Sequence, residues 1–223
     1  MKPIMAKGEA RERILLAAED LIAKHGVDGV SVRSINAAAG VSAGILHYHF
    51  GGLDNVVSAL LERHMVPLMS ERVQMYTALH STSQVTVRAV VEILVMPLAR
   101  KIIDHGEDGA RYARFMARLN TDRAPEIAKI FEEAFGKNAS HLIGDLQDVL
   151  PGISKEVLRL RLSFCAHAML QSLAELACAS SVIHLRDAHQ HKLRQWSQVE
   201  SLIEFLCGGM AAPTKAVPPA SAS

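Results

Sequence analysis

Residues 31–50, SVRSINAAAGVSAGILHYHF, constrain the fold more than any other stretch of the chain. Two short segments with apolar residues at helical spacing flank an Ala-Gly-Val-Ser turn. Ser31 stands where an N-cap belongs, ahead of Val32, Ile35 and Ala38 on one helical face. Gly40 can adopt the left-handed conformation that ends a helix sharply. Ser42 is then placed to cap a second helix, Ala43 to His49, with Ile45, Leu46 and Phe50 turned inward. Two helices joined in this way make a helix-turn-helix, whose second helix is built to enter a DNA major groove.

The same residues contain a competing pattern. Gly40-Val41-Ser42-Ala43-Gly44 matches the G-x-S-x-G of a hydrolase nucleophile elbow. That mechanism needs a β-strand running into the serine, so that a strained turn can present its hydroxyl. The residues before it, SINAAA, have no β-branched alternation, and the chain offers no series of strands. The elbow is set aside.

Composition supports an all-α protein. Of 223 residues, 49% are hydrophobic but only 4% aromatic, with abundant Ala and Leu. The formal charge is +1, and acidic and basic residues nearly cancel over residues 1–64 as well. Basic side chains must therefore be positioned rather than abundant, and any DNA-binding reading rests on the motif. The odd set Cys165, Cys178 and Cys207 lacks C-x-x-C spacing and reads as reduced thiols of a cytoplasmic protein. The start, MKPIMAKGEARERI, lacks the apolar core of a signal peptide, and no run approaches the roughly 20 apolar residues of a membrane span.

In chain order, residues 1–8 read as a disordered arm carrying Lys2 and Lys7. A first helix spans about Glu9 to His25, with Gly26 as its C′ residue. A long helix begins at Leu53 with Asp54 in its first turn, and Pro67 is expected to kink or break it before it resumes to Leu79. His80–Gln84 and Asp104–Gly109 read as loops around an apolar helix, Val85–Ile103, that Pro97 bends. A short helix over Ala110–Leu119 follows, then one over Ala124–Leu150. Ser154 caps a helix to about Ala179, Arg186–Lys192 reads as an irregular connector, and Trp196–Leu206 is a final helix stopped by Gly208-Gly209. This divides the chain into a helix-turn-helix unit of three helices (1–52), a domain of roughly six helices (53–208), and a disordered tail (209–223).

The segment 31–50 resembles the N-terminal signature of TetR-type transcriptional regulators. The matching residues are Ile35, Ala38 to Ser42 and Leu46 to Phe50, with a helix start after Gly51-Gly52. The family usually has Lys where this chain has Leu53, and Ser or Asn where it has Gly52. Further on, MVPLMSERVQ, ILVMPLARK and RYARFMARLNTD resemble the C-terminal domain of fatty-acid-responsive regulators of the PsrA type. The resemblance implies a ligand-responsive DNA-binding regulator, a repressor released from a palindromic operator by a small apolar effector such as a fatty acid or acyl thioester.

Candidate DNA-contacting residues are Ser31, Arg33, Ser42, Ala43, Gly44, His47, Tyr48 and His49. Small residues at the start of a reading helix let the backbone approach the groove, and Tyr48 and His49 suit phosphates. Met69, Met96, Phe115, Met116, Leu119, Phe131, Phe135 and Phe164 are candidates for an adaptable apolar effector pocket, with ordinary core filling as the alternative for each. Arg111, Arg114, Arg118 and Arg123 are either solvated helix-face residues or partners of an acidic head group. Leu158, Leu162, Cys165, Met169 and Leu173, with Leu202, Ile203 and Leu206, form two apolar helix faces suited to a four-helix homodimer interface. A dimer would also present two reading helices roughly 34–36 Å apart. His184, His189 and His191 lie close together without a further acid or Cys, so no metal and no cofactor are expected, and His167 reads as a hydrogen-bonded core residue. The reading from another class is a small α-helical enzyme or carrier acting on an apolar ligand.

Overall fold

The computed structural model describes residues 7–82, 84–121, 140–180 and 188–214. These are helical and contain no strand: α1 (Lys7–His25), α2 (Val32–Ala39), α3 (Ile45–Phe50), α4 (Leu53–Thr82), α5 (Val87–Asp104), α6 (Gly106–Thr121), α7 (described over 140–149), α8 (Lys155–Ser180) and α9 (Ala188–Ala211). Of the arm expected over residues 1–8, Lys7 and Gly8 belong to α1, and of the tail expected over 209–223, residues 209–211 belong to α9. Residues 1–6 and 215–223 lie outside the described residues, as do Phe131, Phe135, Arg123 and His184.

The first three helices are set by local chemistry. Gly26 ends α1 with φ at 75°, its N–H donating to the Ile22 carbonyl at 2.8 Å. Ser31 caps α2 reciprocally: the Ser34 N–H donates to Ser31 Oγ at 3.1 Å, and the Ser31 N–H donates to Ser34 Oγ at 2.9 Å. Ile14, Leu15, Ala18, Ile22, Ile35, Leu46 and Phe50 then close a small core between α1, α2 and α3.

The longer helices follow packing more than their sequence punctuation. Pro67 neither ends α4 nor separates its halves: one helix runs from Leu53 to Thr82. His80 and Ser81, expected in a loop, extend it, with His80 Nδ1 at 3.0 Å from the Tyr76 carbonyl and Ser81 Oγ donating to the Thr77 carbonyl. Thr86 caps α5 by accepting the Ala89 N–H at 3.1 Å. The glycine-rich loop expected at 104–109 shrinks to His105, because α6 already starts at Gly106. Gly109 is a packing residue, since a Cβ there would stand 2.3 Å from the Lys101 carbonyl of α5. Residues 188–192, expected as a connector, form the first turn and a half of α9, and Lys192 pairs with Asp104 at 2.6 Å. Gly208 and Gly209 do not stop α9, which continues to Ala211. The expected domain end at 208 therefore falls inside a helix.

One contiguous apolar cluster runs from Ile14 in α1 to Met210 in α9. Helix α6 lies centrally, against α1, α5 and α8. The unit formed by α1, α2 and α3 is thus seated directly on the domain behind it.

Candidate nucleic-acid interface

The turn between α2 and α3 is built from Asn36, Gly40 and the backbone of residues 41–45. Gly40 takes φ of 64° and ψ of 34°, and its N–H donates to the Ala37 carbonyl at 3.1 Å. The Val41 N–H reaches back to the Asn36 carbonyl at 3.0 Å. Asn36, buried and unrecognised in the sequence, donates from Nδ2 to the Ala43 carbonyl at 2.9 Å and pins the turn onto α2. The guanidinium of Arg13 closes over Gly40 so tightly that a Cβ there would lie 2.6 Å from Nη2. These contacts hold the turn in one conformation.

Helix α3 starts later than expected. Its N-cap is Gly44 rather than Ser42, because the Ile45 N–H bonds to the Ser42 carbonyl in a tight turn before α-helical bonding begins with Tyr48 N–H to the Gly44 carbonyl. The Ser42 hydroxyl is therefore not used as a cap, and it makes no hydrogen bond among the described residues. Ser42, Ala43 and Gly44 are all exposed, with open space where a Gly44 Cβ would stand. With neither a strand before it nor a base bonded to it, Ser42 lacks what a nucleophile elbow needs.

Leu46 and Phe50 bury one face of α3, which leaves His47 and Tyr48 outward. Tyr48 is 68% exposed, held edge-on to the half-buried His49 ring at 5.1 Å. His47 Nδ1 lies 2.8 Å from the Gly51 carbonyl. A carbonyl only accepts, so the Nδ1 proton is donated there and Nε2 is left facing outward. Gly51 ends α3 at φ 76°, and Asn55 Nδ2 donates to the Phe50 carbonyl at 2.6 Å, joining α3 to α4. Arg11 of α1 lies 5.1 Å over the Phe50 ring from the other side. Arg33 is exposed at the start of α2 and pairs with no carboxylate among the described residues. Ser31 is exposed too, but its hydroxyl is committed to capping. The candidates thus form one surface of small residues, a phenol, imidazoles and a guanidinium around a six-residue helix.

Two family models match this chain. A family model for bacterial regulatory proteins of the tetR family matches residues 14–60, and one for the Tetracyclin repressor-like C-terminal domain matches residues 92–209, more than half of the chain. The chain belongs to the TetR family. It is a transcription regulator, not an enzyme, and the family's regulators bind DNA operators and small-molecule effectors, commonly as dimers. No curated protein sequence matches it. Among solved structures, the fatty acid degradation regulator FadR from Bacillus halodurans superposes with a TM-score of 0.60 at 17% identity, over 92% of this chain and 98% of that one. FadR from Bacillus subtilis, solved with stearoyl-CoA, gives 0.55 at 17% identity, over 89% and 98%. NalD, the secondary repressor of the MexAB-OprM efflux pump in Pseudomonas aeruginosa, gives 0.54 at 16% identity, over 92% and 98%. At these identities the likeness is one of fold.

Behind the interface, this TetR-family chain sorts the other candidates by burial. Phe115, Met116 and Leu119 are buried on α6, and Met69 and Met96 pack against the same cluster from α4 and α5. Phe164 does not join them: it points outward from α8 at 60% exposure. The proposed dimer residues are corrected in the same way. Leu158, Leu162, Cys165, Met169, Leu173, Ile203 and Leu206 are at most 8% exposed within a single protomer, so they already serve its core. Only Leu202 is partly accessible. The large apolar side chains that do face out on these two helices are Leu160 and Phe164 on α8 and Leu193 and Phe205 on α9.

Charged groups are also committed. Arg114 pairs with Glu107 at 2.7 Å, Arg111 with Asp108, and Arg118 lies against Gly26. None of the three is a free solvated arm. Burial pushes the Arg72 guanidinium down to about 10, where it stays charged at neutral pH, and it donates to the Leu94 carbonyl at 2.8 Å. Burial, with Cys207 nearby, raises the Cys165 thiol to about 11, so it is a protonated packing group. His167 bonds the Ser163 carbonyl at 2.7 Å but is exposed rather than in the core. Among the described residues, no His, Cys, Asp and Glu cluster could hold a metal, and no helix is long and apolar enough to cross a membrane.

Proposed function

We propose that the protein is a homodimeric repressor that holds a palindromic operator with two α3 helices and releases it when an apolar effector binds behind α4. One observation carries the reading. The turn 42–44 and the His47–Tyr48 face of α3 are exposed, while the neighbouring bonds hold them rigid. Small groups at the helix start bring the backbone to the base edges, and Tyr48, His49 and Arg33 supply phosphate contacts.

Helical geometry supports the dimer. On α9, Glu200 is bonded to Arg88 of α5 at 2.6 Å, and Phe205, on the opposite flank of the helix, is exposed. Leu160 and Phe164 stand one turn apart on α8. These three side chains replace the buried residues as the apolar centre of a two-fold interface. For the effector, the flexible methionines that α4, α5 and α6 contribute to the apolar cluster, with the Arg72 charge buried on α4, suit a long acyl chain with an anionic head, which is the acyl thioester reading.

The test is selection of duplexes from random DNA by the full-length protein, followed by fluorescence anisotropy across a salt series. A palindromic consensus bound with a steep negative salt slope, weakened by Tyr48→Ala, is the expected result. Recovery of no consensus sinks the operator reading. Stearoyl-CoA added to the complex should then lower operator affinity, and an unchanged affinity at saturating thioester removes the effector assignment alone.

A further inference from the structure

Four ionisable side chains meet where α1 leaves the reading unit and touches the domain behind it. Glu19 of α1 is 2% exposed, and no hydrogen bond satisfies its Oε1. His64 of α4, also buried, places Nε2 at 3.1 Å from that oxygen but off the hydrogen-bond axis. Lys101 of α5 lies 3.0 Å from His64 Nδ1, and Arg111 of α6 brings Nε to 3.9 Å from Glu19 Oε2. Tyr112 of α6 floors the cluster, 4.4 Å from the His64 ring and 4.3 Å below Lys101 Nζ. Arg63 and Asp108 stand at its rim, paired with Glu12 and Arg111 respectively.

The proton order follows from these contacts. An ammonium has donors only, so Lys101 donates to His64 Nδ1, and the ring proton sits on Nε2, facing Glu19. Burial lowers the Lys101 value, and the Glu19 charge opposes that. The Glu19 carboxylate is thus the buried negative charge facing Lys101 and Arg111, and Asp108 meets Arg111 from the solvent side. Such a balance depends steeply on separation, unlike apolar contact, which tolerates sliding. Helix α1 also carries Arg11 over Phe50 and Arg13 over Gly40, so its placement is the placement of the whole reading unit.

We propose that Glu19, His64, Lys101 and Arg111 are positioning residues that lock the reading unit at the angle needed for operator binding. The proposal rests on the operator reading above. Operator affinity is then controlled by charges that never touch DNA, and movement of α5 or α6 reaches α3 through Glu19.

The experiment measures binding of full-length variants to the duplex that the wild-type protein selects from random DNA. Failure of the selection itself would count against the operator reading and not against the lock. Glu19→Gln and Lys101→Met should each weaken binding about tenfold or more, and the double variant should be no weaker than the worse single one, because it removes the buried carboxylate and the half-buried ammonium that faces it together. His64→Gln, which can still accept from Lys101, should stay within about threefold of wild type, whereas His64→Leu should behave like Glu19→Gln. Amide exchange of α1 in the DNA-free protein should rise in the single-charge variants and return in the double. Folded Glu19→Gln and Lys101→Met proteins that bind like wild type, or losses that simply add, would overturn the proposal. If Glu19→Gln does not fold, the double variant and the two His64 variants still separate a lock from its absence.

Discussion

The reading unit and the domain behind it are both helical, yet their helices are specified in opposite ways. Helix α2 has 8 residues, a reciprocal serine cap at one end and a left-handed glycine at the other. Helix α4 has 30 residues and runs straight through a proline. A short helix cannot bury enough surface to define its own ends, so capping chemistry must do it. A long helix against a continuous core gains enough from packing to override a breaker. Sequence punctuation is therefore decisive in one region, whereas in the other it sets some helix starts, such as the Thr86 cap of α5, but its breakers are overridden.

Substitution at Gly40 should break the first half of this comparison most severely. At φ 64° a β-branched side chain suffers backbone strain, and the flexible end of Arg13 must also move aside. Gly40→Val should cost about 1–3 kcal/mol locally and weaken operator binding tenfold to a hundredfold, read by anisotropy. Unchanged affinity would mean that the turn is less rigid than its bonds imply.

On the second region the largest effect should fall on assembly. Phe205→Asp places a charge at the centre of the proposed interface, while the residue is 70% exposed in the protomer. Sedimentation should show a shift to monomer at micromolar concentration, with far-ultraviolet helicity retained. Leu173→Ala, by contrast, should cost about 2–5 kcal/mol of folding stability, because Leu173 is fully buried in the protomer. A Phe205→Asp dimer of normal affinity would place the interface elsewhere.

The same contrast explains what could be read from the sequence. The caps at Ser31, Gly26 and Gly40, the two-helix motif and the exposed Ser42–Tyr48 surface were legible because spacing of a few residues encodes them. The start of α3 was misread by two residues, since Ser42 and Gly44 are both acceptable caps and only the tight turn at Ile45 decides. Core and interface residues on α8 and α9 were confused for a deeper reason. Helices with apolar residues on several faces show what is buried, but not whether the partner is the same chain. The polar cluster of Glu19, His64, Lys101 and Arg111 was invisible, because its members come from four helices and meet only when α1 seats on α6. Asn36 escaped for the same reason at shorter range: its partner is a backbone carbonyl seven residues away.

Substitutions that relieve punctuation should sharpen the comparison by stabilising the long helices. Pro67→Ala restores an N–H to α4 at an exposed position and should raise stability by about 1–3 kcal/mol, seen as a higher Tm. Gly208→Ala should add about 0.5–1 kcal/mol, because a Cβ there meets nothing within 4 Å. The sign is opposite to that of any substitution at Gly40, where the glycine is required. A loss of stability at Gly208 would show that α9 needs the close approach of another surface there.

The smallest expected effect lies at the end of α4, where His80 holds α7. Its Nε2 is 3.1 Å from Asp145 Oδ1, and Tyr76 stacks on the ring at 4.2 Å, with His141 at 6.1 Å from the Tyr76 ring. The Tyr76 carbonyl first, and then the Asp145 carboxylate, hold the exposed imidazole above its usual value. A base whose folded value exceeds its unfolded value contributes stability that is complete below the unfolded value, near 6.5, and is lost as pH rises through the folded one. Amide exchange at residues 76–82 should therefore be slowest near pH 6 and quicken towards pH 8 beyond the intrinsic base catalysis of exchange. Asp145→Asn should remove part of that excess and leave the share that the Tyr76 carbonyl contributes, since the neutral amide no longer favours the imidazolium. Because the pair is open to solvent, the change should stay local, with operator affinity unaltered. If the pH-dependent excess instead extends along α4 to residue 53, the long helix behaves as one mechanical unit despite Pro67. The division between locally specified and packing-specified helices would then also be a division in how far a local perturbation travels.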